Sequence, residues 1–295
     1  MKRVLITGYN GFTGHYMATR LRQPDVEVVG LVNGSTAGPG EIHGDLTDIA
    51  ETRRIVAAVR PTHVIHLAAI SNVAHGDARA FYDVNVFGTL NLLEALAALD
   101  HTPDRILLVS SAHVYGTPAV ETIDEAMCPQ PVNHYGNSKH VMENMARTWM
   151  DRLPIVIARP FNYSGPGQDE ARFLIPKVIG HLKRKAPVLE LGNLNVARDF
   201  SDVLDVVEAY ARLLDAPAAL GQTVNICSGT AHPLRSVLDM AFEIAGFAPE
   251  IRVNPALVRS NELLKLTGSC ARLWALTGFK PAIPIRDTLR RMLEA

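Results

Sequence analysis

Five short, nearly continuous apolar runs alternate with longer amphipathic stretches through the first half of the chain. The runs are Arg3–Thr7, Glu27–Val32, His63–Ala68, Arg105–Ser110 and Pro154–Arg159. Unbroken aliphatic and β-branched runs of this length are strands covered on both faces, as in a parallel sheet. Between them the spacing predicts helices over Gly11–Arg22, Thr47–Arg60, Ala78–Leu99 and Tyr135–Arg152. Pro24, Pro61 and Pro103 stop three of these, because a proline nitrogen has no hydrogen to donate to a continuing helix. Repeated β-α-β order with right-handed crossovers implies an α/β chain with an open, doubly wound parallel sheet.

The rhythm changes after Arg159. Residues 160–198 are richer in Gly, Pro, Asn and Lys and read as loop plus one helix. A helix over Asp202–Leu214 and a strand over Thr223–Ile226 follow, and the strand is expected to return to the main sheet. From Ser228 onward the chain reads as helical with brief extended pieces. The expected division is therefore a first domain over 1–165, rejoined by 200–227, and a smaller, mainly helical domain over 166–295.

Bulk properties exclude several classes of partner. The 295 residues carry 29 basic and 30 acidic side chains, so there is no electrostatic reason to expect nucleic acid or an anionic membrane. No apolar run reaches the length of a membrane span, and Met1-Lys2-Arg3 leads straight into a strand without the pattern of a signal peptide. Cys128, Cys227 and Cys270 are odd in number and scattered. They suggest neither a disulfide framework nor a metal site, which fits a reducing cytoplasm.

The first strand runs into Thr7-Gly8-Tyr9-Asn10-Gly11-Phe12-Thr13-Gly14 and then a helix. Glycines at such a turn let the backbone approach a pyrophosphate whose charge lies at the helix N-terminus. Gly8, Asn10, Gly11, Phe12, Thr13 and Gly14 are the candidate cofactor residues of this turn, with GxxGxxG spacing. The second handle on a dinucleotide falls near Asn33, at the end of the second strand. Asparagine accepts either a 2′-hydroxyl or a 2′-phosphate, so NAD and NADP both stay open. Asp45-Leu46 would read the adenine edge, or Asp45 would cap the next helix.

Tyr135 and Lys139, four apart in YGNSK, share one face of a helix. A nearby ammonium favours phenolate, which makes a tyrosine a usable acid/base. In SSAHVYG, Ser111 follows the end of the Arg105–Ser110 run. Together with TGYNGFTG, HLAA (66–69), NVFGTLNLLEA (85–95) and RPFN (159–162), these motifs resemble the extended, nucleotide-sugar-modifying branch of the short-chain dehydrogenase/reductase superfamily, in its order and over nearly the whole length. The resemblance implies a Rossmann sheet binding NAD(P)H, with Leu67, Ala68, Ala69, Asn85, Tyr135 and Lys139 in the cofactor site. It implies that Ser111 orients the substrate oxygen, Tyr135 donates the proton and Lys139 holds the nicotinamide ribose. It also implies homodimers packed through the helices that begin near Asn85 and Tyr135.

In the second half, RPFNYSGPGQ (159–168), LGNLNVARDFSDVLDVVEAY (191–210), VNICSG (224–229) and GSCARLWALTGFKP (268–281) resemble the reductases of that branch that act on GDP-4-keto-6-deoxy-D-mannose and form GDP-D-rhamnose. A GDP-sugar substrate follows from that resemblance, with Ser111, Ala112, His113, Asn162, Arg198, Arg259 and Glu262 as its candidate contacts. Arg198 would take the diphosphate or guanosine. Arg259 and Glu262, three apart, would share one ligand or form a solvated surface pair. Asp199 and Asp202 would pair with Arg198 or cap the helix after it. The dehydratases of the branch carry a glutamate in place of His113, so its absence disfavours dehydration and leaves 4-epimerisation open. His113 itself is a substrate contact, an acid/base or packing. A non-catalytic NAD(P)-sensing protein is the rival from another class, and the intact Tyr-Lys pair speaks against it.

Overall fold

The computed structural model describes residues 1–34, 38–73, 75–258 and 264–295. In chain order its first half contains β1 (Lys2–Thr7), α1 (Phe12–Arg20), β2 (Val26–Val32), β3 (Glu41–His43), α2 (Ile49–Val59), β4 (His63–His66), α3 (Ala78–Tyr82), α4 (Thr89–Ala97), β5 (Arg105–Val109), β6 (Thr122–Ile123), α5 (His134–Arg147) and β7 (Ile155–Pro160). The second half adds β8 (Asn162–Ser164), α6 (Leu174–Lys183), β9 (Val188–Leu191), β10 (Ala197–Asp202), α7 (Val203–Asp215), β11 (Thr223–Ile226), β12 (Ala231–Pro233), α8 (Leu234–Ala245), β13 (Glu250–Val253), β14 (Lys265–Gly268), α9 (Ala271–Thr277) and α10 (Ile285–Glu294).

Seven parallel strands form the main sheet in the order β11-β7-β5-β4-β1-β2-β3. Order reverses at β1, which pairs β2 on one side and β4 on the other. Val4 and Ile6 of β1 pack toward α1 and α7, while Leu5 packs toward α2 and α4. Both faces are thus covered, which explains the unbroken apolar runs. The fold is a doubly wound parallel α/β sheet of Rossmann type.

β11 returns to pair with β7, Thr223 opposite Ile157, and α7 and α9 complete one face of the sheet. The remaining substrate-side elements are less purely helical than the periodicity suggests. α6, α8 and α10 share a separate core with β9 and β10, and β10 lies between β12 and β14 in a small second sheet. β13 pairs with β9.

Two local features depart from the sequence pattern. The expected helix over Ala78–Leu99 contains a wider π-helical turn, Asp83–Gly88, between α3 and α4. Such turns insert an extra residue and recur at functional sites. Asp45 is not the helix cap: Asp48 caps α2 through the Ala50 and Glu51 amides, whereas the Asp45 carboxylate accepts only a local bond from the Thr47 amide at 2.8 Å.

Candidate active site

The loops that follow β1, β2, β4, β5 and β7 all leave the carboxyl edge of the sheet, where ligands of open α/β sheets bind at the reversal of strand order. Most candidate residues lie on these loops.

The glycines of the first turn do different jobs. Gly8 has φ +67°, and a Cβ there would lie 2.7 Å from the Ala68 nitrogen. A Cβ on Gly14 would lie 2.3 Å from the Tyr9 carbonyl oxygen. These two glycines let the turn press on the Leu67-Ala68 backbone and on itself. Gly11 and Asn10 instead face solvent, and Gly11 begins α1 with no side-chain cap. The positive end of α1 therefore lies at an open cradle, which fits the diphosphate of a dinucleotide. Asn10 Nδ2 donates to the Asn33 carbonyl at 3.3 Å, bringing both to the same exposed mouth. Leu46 is buried in the core between α2 and α4, and its carbonyl accepts from Asn91 Nδ2 at 2.8 Å.

Behind the turn, a buried chain of hydroxyls fixes the loop after β4. The Ala68 amide donates to Thr7 Oγ1, which lies 2.7 Å from His66 Nδ1. His66 Nε2 lies 2.8 Å from Thr89 Oγ1, which donates to the Asn85 carbonyl. This direction makes His66 a donor at Nε2 and an acceptor at Nδ1. Burial pushes its pKa down to about 3, with Lys139 adding to the shift, so the ring stays neutral. Asn85, fully buried in the π turn, accepts from the Ile70 amide at 2.9 Å and donates to Ser138 Oγ at 2.9 Å. Ser138 Oγ in turn donates to the Tyr135 carbonyl. One amide thus ties the loop after β4, including Leu67–Ile70, to the helix that carries Tyr135.

Ser111, Tyr135 and Lys139 come together at the end of β5. Asn133 caps α5 through the Gly136 amide and places Tyr135 in its first turn. Ser111 Oγ lies by the Tyr135 phenol and accepts the His113 amide at 3.2 Å. Burial pushes the phenol pKa up to about 12, against the opposing influence of the nearby Ser111 hydroxyl. Lys139 Nζ donates to the Val109 carbonyl at 2.8 Å, two residues before Ser111. Burial lowers its pKa to about 8, against the nearby Glu143. The expectation that the ammonium makes the free phenol acidic is therefore corrected: the lysine turns to the strand backbone, and burial governs the phenol. The His113 ring meets the Tyr135 ring edge-on, 5.4 Å between centroids, and Ala112 is buried beneath.

Asn162 opens β8 opposite Phe200, half-buried at the end of β7. Arg198 lies on β10 between His232 and Leu266 of the neighbouring strands and donates to its own neighbour's carbonyl, Ala197. Asp199 accepts the Ser228, Gly229 and Gly268 amides and the Ser228 hydroxyl, and Asp202 caps α7 and pairs with Arg291 and Thr288. Arg259 and Glu262 lie outside the described residues.

Glu143 and Arg159 support the site without having been singled out by spacing. Arg159 grips the Glu143 carboxylate with two bonds, 2.8 and 2.5 Å, and also donates to the Tyr115 hydroxyl. Burial pushes the Glu143 pKa up and Arg159 more than reverses it, so the carboxylate lies below its ordinary range. The signal was available in the run Tyr135, Lys139, Glu143, each four apart on one helix face. Among the described residues no group of three or more His, Cys, Asp or Glu is placed to hold a metal, and no helix is long and apolar enough to cross a membrane.

The chain is similar to known proteins over nearly its whole length. The chain is 35% identical over 304 residues to GDP-6-deoxy-D-mannose reductase of Pseudomonas aeruginosa, covering 99% of this chain and 96% of that one. It is 32% identical over 277 residues to GDP-6-deoxy-D-talose 4-dehydrogenase of Aggregatibacter actinomycetemcomitans, covering 94% and 91%. The structure of RMD from Pseudomonas aeruginosa complexed with NADPH superposes with a TM-score of 0.87 at 32% identity, covering 100% of this chain and 98% of that one. That of a candidate epimerase from Burkholderia cenocepacia superposes with a TM-score of 0.92 at 44% identity, covering 99% and 97%. The NAD dependent epimerase/dehydratase family model matches residues 4–227. The chain is an NAD(P)-dependent oxidoreductase and belongs to the NAD dependent epimerase/dehydratase family.

Proposed function

We propose that the protein reduces the C4 ketone of GDP-4-keto-6-deoxy-D-mannose to a GDP-6-deoxyhexose, GDP-D-rhamnose, with NAD(P)H. The observation that carries the reading is the buried Tyr135 phenol with Ser111 and His113 beside it and Lys139 one turn along the same helix. The two GDP-sugar relatives support the choice of substrate.

The bound cofactor supplies the hydride. Tyr135 gives its phenolic proton to the alkoxide oxygen that develops at C4, a role for which a protonated group is the correct starting state. Ser111 donates to the same oxygen and holds the phenol in line. A phenol pushed up to about 12 is a reluctant donor. The cationic Lys139 lowers that barrier once the charge forms, because anion and ammonium then share a dry site. Gly11 and the first turn of α1 receive the diphosphate of the cofactor, and Asn33 its ribose. Arg198, Arg259 and Glu262 are assigned to the GDP moiety, and Asn162 and His113 to the sugar. The same reading makes the enzyme a homodimer, with the exposed Phe87 and Val141 on the helices that would meet the second copy.

The experiment is incubation with GDP-4-keto-6-deoxy-D-mannose and NADPH, with the product configuration read by NMR. Consumption of NADPH with formation of a C4 hydroxyl of a single configuration is expected. Redox-neutral turnover of GDP-mannose, or interconversion of C4 epimers without added reductant, overturns the reading in favour of a dehydratase or a 4-epimerase.

A further inference from the structure

The N-terminal half of α1 is fastened to the chain beyond β7 by three contacts. Thr13 Oγ1 lies 2.8 Å from Tyr163 Oη, a pairing of residues 150 positions apart. Phe12 stacks on the Tyr163 ring, with centroids 6.2 Å apart and planes 18° from parallel. One turn along, Tyr16 Oη donates to the Pro166 carbonyl at 2.8 Å.

The positions joined are informative. Phe12 and Thr13 follow directly on the open Asn10–Gly11 turn, and Tyr163 follows directly on Asn162. One hydroxyl pair therefore links the cradle for the cofactor diphosphate to the strand that presents Asn162. Tyr163 is also within electrostatic reach of Tyr135 and Tyr210. Burial raises its phenol pKa, so it remains a neutral hydroxyl able to donate or accept. Tyr210 Oη is buried without a hydrogen-bond partner among the described residues, which leaves Thr13 to fix the Tyr163 hydroxyl.

We propose that Tyr163 is a positioning residue of the cofactor site, supplied by the substrate-side strand: its hydroxyl, through Thr13, sets the phosphate-binding turn at a fixed spacing from Asn162. Tyr163 touches neither ligand in this role. With Tyr163 as donor, the Thr13 hydroxyl keeps its own proton for a phosphate oxygen, so the tie fixes that hydroxyl without consuming it. The substrate half of this inference, but not the cofactor half, rests on the reading of Asn162 given above.

NADPH dissociation constants of the full-length enzyme, its Tyr163→Phe and Thr13→Val variants and the double variant, read by fluorescence titration alongside thermal melting, test it. Each single change is expected to weaken NADPH roughly 3- to 10-fold, the size of one ordinary hydrogen bond, and the double variant no further. Tyr16→Phe removes a similar bond between the same helix and the same loop, and is expected to leave NADPH affinity at the wild-type value. Additive losses in the double variant, unchanged affinity in Tyr163→Phe, or an equal loss in Tyr16→Phe would each overturn the proposal. Turnover of GDP-4-keto-6-deoxy-D-mannose by the wild-type enzyme is scored separately, so failure of the substrate reading leaves the NADPH cycle decisive.

Discussion

Lys139 Nζ donates to the carbonyl oxygen of Val109, so the strand that ends at Ser111 also anchors the lysine of the adjacent helix. Burial there lowers the lysine pKa to about 8, with Glu143 opposing. The side chain is cationic below that pH and neutral above it. kcat/KM for ketone reduction should therefore fall as pH rises through about 8. The limb in kcat should lie higher, because a bound anionic cofactor favours the ammonium. Lys139→Arg should abolish the limb, since a guanidinium does not titrate there. A limb that persists near the same pH in that variant assigns it to another group.

Tyr135 is buried beside Ser111, and burial keeps its phenol protonated. Tyr135→Phe keeps the ring that packs on His113 and Phe81 and removes only the hydroxyl. Reduction should slow by about 100- to 10,000-fold, the usual share of a positioned acid, while NADPH affinity stays near wild type. Near-normal turnover would remove Tyr135 from the role of proton donor.

Glu143 and Arg159 are an ion pair with almost no exposure on either side, 0% and 3%. Glu143→Ala strands a buried guanidinium and should cost about 3–5 kcal/mol in urea unfolding. Replacing both by methionine should recover most of that loss, because no charge is then left unpaired. A single variant as stable as the wild type would show that Arg159 finds another partner.

His66 stays neutral in the fold, its pKa pushed down to about 3, while an unfolded histidine titrates near 6.5. Between those values the unfolded chain binds more protons, so stability rises with pH and is lost as pH falls through the window. The melting temperature should drop on acidification below about pH 6.5. His66→Asn should be less stable throughout but show a shallower slope. An unchanged slope would place the acid sensitivity elsewhere, with His63, lowered to about 4 by burial, the next group to test.

Continuity of apolar character made the central strands legible, because a strand buried on both faces has no polar residue to interrupt it. The five runs expected from the first half coincide with β1, β2, β4, β5 and β7 to within one or two residues. Helix interiors were legible for the same reason, and their ends less so. The π turn at Asp83–Gly88 was not, since one extra residue shifts the periodicity without changing composition. Asp199 shows the larger limit. Its acceptors serve Ser228, Gly229 and Gly268, which are close only after β10, β14 and the turn beyond β11 have met. The Thr13–Tyr163 tie is hidden for the same reason: local spacing reports neighbours on one helix face, not partners brought together by the sheet.

The return of β11 to the edge of β7 has a consequence for how the chain is made. During synthesis the sheet can assemble through β7 as soon as Pro160 has emerged, but that strand's outer edge then has no partner. Its amides and carbonyls stay unpaired until Thr223–Ile226 has been made, after the whole excursion through α6, β10 and α7. An unpaired apolar edge is a template for joining another chain. β11 then becomes the edge itself, a short strand whose Thr223 carbonyl accepts from Arg272 and whose Asn225 amide donates to Glu125, so side chains occupy the groups that the longer β7 would have left open.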